Sequence, residues 1–225
     1  MNRGKFIVID GTDGSGKATQ VAILKERLAK EGHDLAVVDF PRYNEPSAYF
    51  VAQYLKGEYG TAEEVGPHRG SIFYAIDRFA AKAQMIKDLE AGKILLANRY
   101  VSANMGHQAS KISDPEQRKI FLDWLYDLEY NIFGIPKPDI NIILHVSAAV
   151  GQELVDQKGH RDYVGGQKRD LHEGDIKHLS AAEATYLEIA KAYPDFVLIE
   201  CMRDNQIMSR EEIHELIWAK VKDLL

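Results

Sequence analysis

The chain has 225 residues, 45% of them hydrophobic, with 28 Lys and Arg against 34 Asp and Glu for a net charge of −6. This is globular composition on the length of one domain, which excludes disorder and fibrous repeats. The mild acidity lacks the field of a nucleic-acid polymer or polybasic membrane binder.

Short apolar runs alternate with helix-length segments along the chain. The first run, Phe6-Ile7-Val8-Ile9, is continuously apolar, as a parallel strand covered on both faces is. It is too short for a signal-peptide core, and nothing later approaches transmembrane length. After it comes Gly11-Thr12-Asp13-Gly14-Ser15-Gly16-Lys17-Ala18-Thr19, then a helix with Val21, Leu24 and Leu28 on one face. Three glycines let successive N–H groups curl inward around phosphate oxygens, and the helix adds its positive end. Lys17 can reach the outer phosphates. The spacing is that of a phosphate-binding loop, although Ala18 stands where a metal-binding hydroxyl is usual and Thr19 comes one residue late.

A second run, residues 35–38, leads to Asp39-Phe40-Pro41-Arg42-Tyr43. An aromatic, a rigid turn and an arginine at a strand's carboxyl end fit a base and a phosphate, or a packed loop. Tyr74 and Arg78 are four apart and share one helix face. They read either as a nucleobase platform with a donor or as a solvated cation–π pair. The third run, 94–97, ends in Asn98-Arg99-Tyr100, where the arginine fork suits phosphate.

Asp114-Pro115 then caps a helix with Phe121, Trp124, Leu125, Leu128 and Ile132 on one face. The fourth run, 140–146, contains His145, expected to be a strand residue satisfied in the core. Residues 158–169 hold four basic residues and three glycines, which fits a solvated loop or a lid closing over polyphosphate. The fifth run is 196–199, and Ser209-Arg210-Glu211-Glu212 forms a capping box ahead of Ile213, Leu216, Ile217 and Val221. Cys201 is the only cysteine, so no intrachain disulfide or Cys-based zinc cluster can form and a reducing compartment is expected. The alternation predicts an α/β fold, a parallel five-stranded sheet flanked by helices, in a single domain over 1–225. Ligands of such sheets bind beyond the carboxyl ends of the strands.

Together these residues resemble the thymidylate kinase family. The resemblance rests on the D-G-S-G-K loop with Asp13, on Phe40-Pro41-Arg42-Tyr43, Asp77-Arg78, and Arg99-Tyr100 with Asn104. It continues through Ile135-Pro136-Lys137-Pro138-Asp139 and Arg169-Asp170-Leu171-His172-Glu173. It implies a P-loop nucleoside monophosphate kinase, with a lid over about 158–174, working as a cytoplasmic homodimer. The implied reaction moves the γ-phosphoryl of ATP, with Mg²⁺, onto dTMP to give dTDP and ADP for dTTP synthesis. By position, residues 11–19 hold ATP, Asp13 lies near the sugar 3′-hydroxyl, and Phe40, Arg42, Tyr43 and Arg99 surround the dTMP phosphate and sugar. Tyr74 stacks on thymine, Arg78 donates to its 4-carbonyl, and Asn104 meets its ring-nitrogen edge. His107, Asp170 and His172 complete the substrate set. Lys17, Arg99, Asp13 and the lid's Arg161 carry catalysis, with Asp13 and Glu173 toward the metal.

Three departures stand out. Ala18 lacks the hydroxyl, His107 and His172 replace tyrosines common in relatives, and Asn98 replaces the family's aspartate, removing a carboxylate near the metal. The rivals are therefore a kinase for another nucleotide or deoxynucleoside, and a nucleotide-binding protein with little turnover.

Overall fold

Five of the predicted runs become strands of one sheet: β1 (Phe6–Gly11), β2 (Leu35–Asp39), β3 (Ile94–Asn98), β4 (Ile140–His145) and β5 (Phe196–Glu200). All pair in parallel, in the order β2-β3-β1-β4-β5. The computed structural model describes residues 3–156 and 176–225. The helices are α1 (Lys17–Lys30), α2 (Tyr49–Leu55), α3 (Ala62–Glu90), α4 (Val101–His107), α5 (Pro115–Tyr126), α6 (Ala148–Asp156), α7 (Ile176–Ala192) and α8 (Arg210–Val221). The predicted lid segment lies outside the described residues.

The continuous apolar runs are explained by two cores, one on each face of the sheet. Phe6, Val8, Leu95, Ala97 and Ile143 pack on one face with Ala81, Met85 and Tyr186 of the helices and with Tyr100, which precedes α4. Their neighbours Ile7, Ile9, Ile94, Leu96, Ile142 and Leu144 pack with Leu24, Leu28, Ile213 and Ile217 on the other. Successive strand side chains point to opposite faces, so a strand covered on both sides must be apolar throughout. Full burial of each such side chain contributes about 1.5–3 kcal/mol.

Three expectations shift. The edge strand β2 is covered less completely, and Val37 is exposed. Leu216 is exposed too, because α8 docks through Ile213, Ile217 and Val221. The apolar stripe of α5 breaks at its end, where residues Asp127–Ile132 form a π-helical turn. That wider turn buries Glu129 and leaves Ile132 exposed, contrary to its predicted place on the inner face.

The strand order puts β1 at the centre, with its neighbours β3 and β4 reached by crossovers. A crevice therefore opens beyond the carboxyl ends of β1, β2 and β3.

Candidate active site

The glycine loop leaves β1 and enters α1. Gly14 has φ 80°, and a Cβ there would lie 2.1 Å from the Gly151 carbonyl oxygen of α6, so this position admits only glycine. Lys17 begins α1, and its Nζ donates to the carbonyls of Gly11 (3.0 Å) and Thr12 (2.7 Å). Thr12 Oγ1 donates to the carbonyl of Val146 at 3.1 Å, tying the loop to β4. Beneath it, the buried Asp10 carboxylate accepts from Gly11 N (2.8 Å), Ser102 Oγ (2.6 Å) and Tyr186 OH (3.2 Å). The loop is thus held by β1, β4, α4 and α7. Ala18 is exposed on the first helical turn, with no hydroxyl to offer.

The predicted acceptor residues Phe40, Tyr43, Tyr74, Arg78, Arg99, Asn104 and His107 line one cavity, together with Asp13 of the loop. Arg42 does not. Its guanidinium and backbone N–H both bind Asp77, whose carboxylate is almost wholly buried, and Ser47 adds a further contact. A buried carboxylate claims a nearby arginine because an unpaired charge there is costly. Arg161, Asp170, His172 and Glu173 lie outside the described residues.

Two arginines define the cavity's character. Arg99 has φ 62°, a left-handed conformation costing about 1–3 kcal/mol that persists where surroundings over-determine it. Here its N–H donates to Ile9 O (3.0 Å), its side chain pairs with Asp13, and Nη1 lies 3.3 Å from His107 Nε2. Burial opposes charge on Asp13, but Arg99, His107 and Lys17 prevail and hold its carboxyl well below the usual range. Burial drives His107 down to about 3, so its ring is neutral at pH 7.

Arg78 is not solvated. It is 2% exposed, its Nε donates to both oxygens of Glu129 (3.0 and 3.1 Å), Nη2 binds Glu129 as well, and Nη1 donates to Tyr100 O (3.2 Å). Five N–H donors exceed those contacts, so the fork keeps donors for a ligand.

Sequence reasoning missed Glu129, Asp10 and Asp39. Glu129 left one signal: it falls four residues after Leu125 on the stripe begun by Phe121. His145 was expected to be satisfied in the core; instead it sits between Glu183 (2.9 Å) and Glu200 (2.6 Å). Among the described residues no three His, Cys, Asp or Glu side chains gather to hold a metal. No described helix is long and apolar enough to cross a membrane.

The profile of the family described as "Thymidylate kinase" matches residues 9–213. The chain belongs to the thymidylate kinase family. It is 31% identical over 187 residues to the thymidylate kinase of Mycobacterium tuberculosis, covering 82% of this chain and 85% of that protein. It is 28% identical over 228 residues to the thymidylate kinase of Halothermothrix orenii, with 99% of each covered. Among solved structures it resembles the thymidylate kinase of Candida albicans, with TM-score 0.76, 20% identity, and coverage of 98% of this chain and 92% of that one. At that identity the likeness speaks for the fold, which thymidylate kinases share with this chain.

Proposed function

We infer that this protein transfers the γ-phosphoryl of ATP to dTMP, giving dTDP and ADP, as a cytoplasmic homodimer. The observation that carries the reading is the Asp13–Arg99 pair, in which a residue of the phosphate loop is joined to one of the acceptor cavity. Donor and acceptor sites meet there. A protein that only sensed ATP would have no need of the second.

Phosphoryl transfer through a loose transition state asks chiefly for alignment and positive charge. Lys17 and the loop N–H groups hold the donor phosphates, while Arg99 faces the acceptor phosphate. That phosphate is itself the nucleophile, so no strong base is required. Tyr74 and Arg78 take the base, Asn104 its ring-nitrogen edge, and Phe40 and Tyr43 the sugar and phosphate side. Arg42, held by Asp77, supports the wall of the cavity. Mg²⁺ fits an oxygen-donor site that relies on phosphate oxygens, waters and one or two carboxylates, and it supplies charge neutralisation when bound. Asp13, fixed as a carboxylate, would hold it. For the dimer, α3 leaves Ile72 and Phe79 exposed seven residues apart on one face, an apolar surface for a second copy.

The test is coupled ADP release with dTMP, dUMP, dCMP, AMP and thymidine as acceptors, with and without Mg²⁺. Turnover should be fastest with dTMP and negligible with thymidine. A preference for AMP or thymidine would overturn the reading.

A further inference from the structure

Asn98 takes a carboxylate away from the end of β3, yet the structure brings one back from the next strand. Asp39 ends β2 in direct register with Asn98, and Asn98 Nδ2 donates to Asp39 Oδ1 at 2.8 Å. Asp39 lines the same cavity as Asp13 and Arg99. Asp39 is exposed, so its second carboxylate oxygen is open to solvent and to a ligand in the cavity, whereas Asn98 Oδ1 is buried without a hydrogen-bond partner. Two oxygen atoms not engaged by protein donors thus stand at adjoining strand ends, one open to the cavity and one buried. Magnesium and manganese are hard cations that seek oxygen donors of this kind.

We propose that Asp39 serves the divalent cation at the acceptor phosphate, supplied from β2 in place of the carboxylate that Asn98 removes from β3. The proposal rests on the dTMP kinase reading above. The amide of Asn98 becomes the positioning group, since its donated hydrogen bond fixes the Asp39 carboxylate across the strand pair.

Manganese, followed by its electron paramagnetic resonance signal, is the probe for the full chain with dTMP and no ATP. Asp39→Asn should weaken Mn²⁺ binding about tenfold or more. The exchanged variant Asp39→Asn with Asn98→Asp should recover most of that loss, because it returns one carboxylate and one amide to the same register. Asp39 faces the cleft, so the amide variant keeps its packing; Asp39→Ser is a second variant, and circular dichroism checks both. Unchanged Mn²⁺ affinity in the Asp39 variants, or no recovery in the exchanged one, overturns the proposal. Calorimetric dTMP binding in EDTA separates the two levels. Wild-type protein that ignores dTMP sinks the kinase reading, whereas dTMP binding with Mn²⁺ indifferent to Asp39 sinks this inference alone.

Discussion

At the residue scale, Lys17 and Arg78 make opposite demands on a mutagenesis experiment. Lys17 touches loop carbonyls that remain in place without it, so Lys17→Ala should leave the fold intact. Losing a preorganised charge at the transferring phosphates should lower kcat by about 10²–10³, as read in the ADP-release assay. Arg78→Ala would instead strand the buried Glu129 carboxylate, at a cost of about 3–5 kcal/mol, so lost activity would say little about recognition. The informative variant is Arg78→Met with Glu129→Met. Replacing both charges by apolar groups should recover most of the stability, measured by urea unfolding. Cytosine presents an amino group where thymine has its 4-carbonyl, and an unpaired buried donor costs about 1–3 kcal/mol. The kcat/KM ratio of dTMP over dCMP should therefore fall by about fivefold or more in the double variant, with the dTMP over dUMP ratio unchanged. Full dCMP rejection in that variant would make Arg78 a packing residue. Helical spacing put Arg78 and Tyr74 on one face but left them open between a nucleobase platform and a solvated cation–π pair. Glu129, 51 residues away in sequence, was not, because local pattern carries no information about which distant side chain neutralises a buried charge.

At the element scale, α4 and α7 approach at Gly106. A Cβ there would meet the ring of Tyr186 at 2.3 Å, and that ring is 2% exposed, so it has little room to move. Gly106→Ala should cost about 1–3 kcal/mol through overpacking. Because the Tyr186 hydroxyl also donates to Asp10 beneath the phosphate loop, KM for ATP should rise in the same variant. A stability loss with unchanged KM would show that the loop is held without α7. The same scale shows what the chain's pattern discloses. The glycine loop, the five strands and the capping boxes at Thr61 and Ser209 are local physics, set by turn freedom, continuous apolar runs and side-chain caps. The Ser209 box was readable for that reason. The π-helical turn after α5 was not, since its extra residue follows from burying Glu129 against Arg78. Asp39 shows the same division: its position at the carboxyl end of β2 was visible, but its partner depended on register with β3.

For the whole molecule, two histidines set opposite limbs of the stability profile. His107 is buried against Asp13, Arg99, His178 and Tyr186, with Lys17 nearby, and burial drops it to about 3 from an ordinary 6.5. Between those values the unfolded chain binds a proton that the native protein refuses. Stability is therefore fully present above about pH 6.5 and falls as pH drops, by up to about 1.4 kcal/mol per pH unit. His145 behaves in the reverse sense. Burial opposes its charge, but hydrogen bonds to Glu183 and Glu200 win and raise it. Its stabilisation is complete below about pH 6.5 and disappears as pH rises through the elevated native value. The two together give a maximum just above pH 6.5, bounded on the alkaline side by release of the clamp that joins β4, β5 and α7. Urea unfolding across pH 4 to 9 should trace that dome. His145→Gln should flatten its alkaline shoulder, and His107→Gln should reduce the slope between pH 6.5 and roughly 4 by one proton's worth. Should the acid slope be unchanged in His107→Gln, the native ring takes up its proton in that window, and its neutral state beside Arg99 would have to be abandoned.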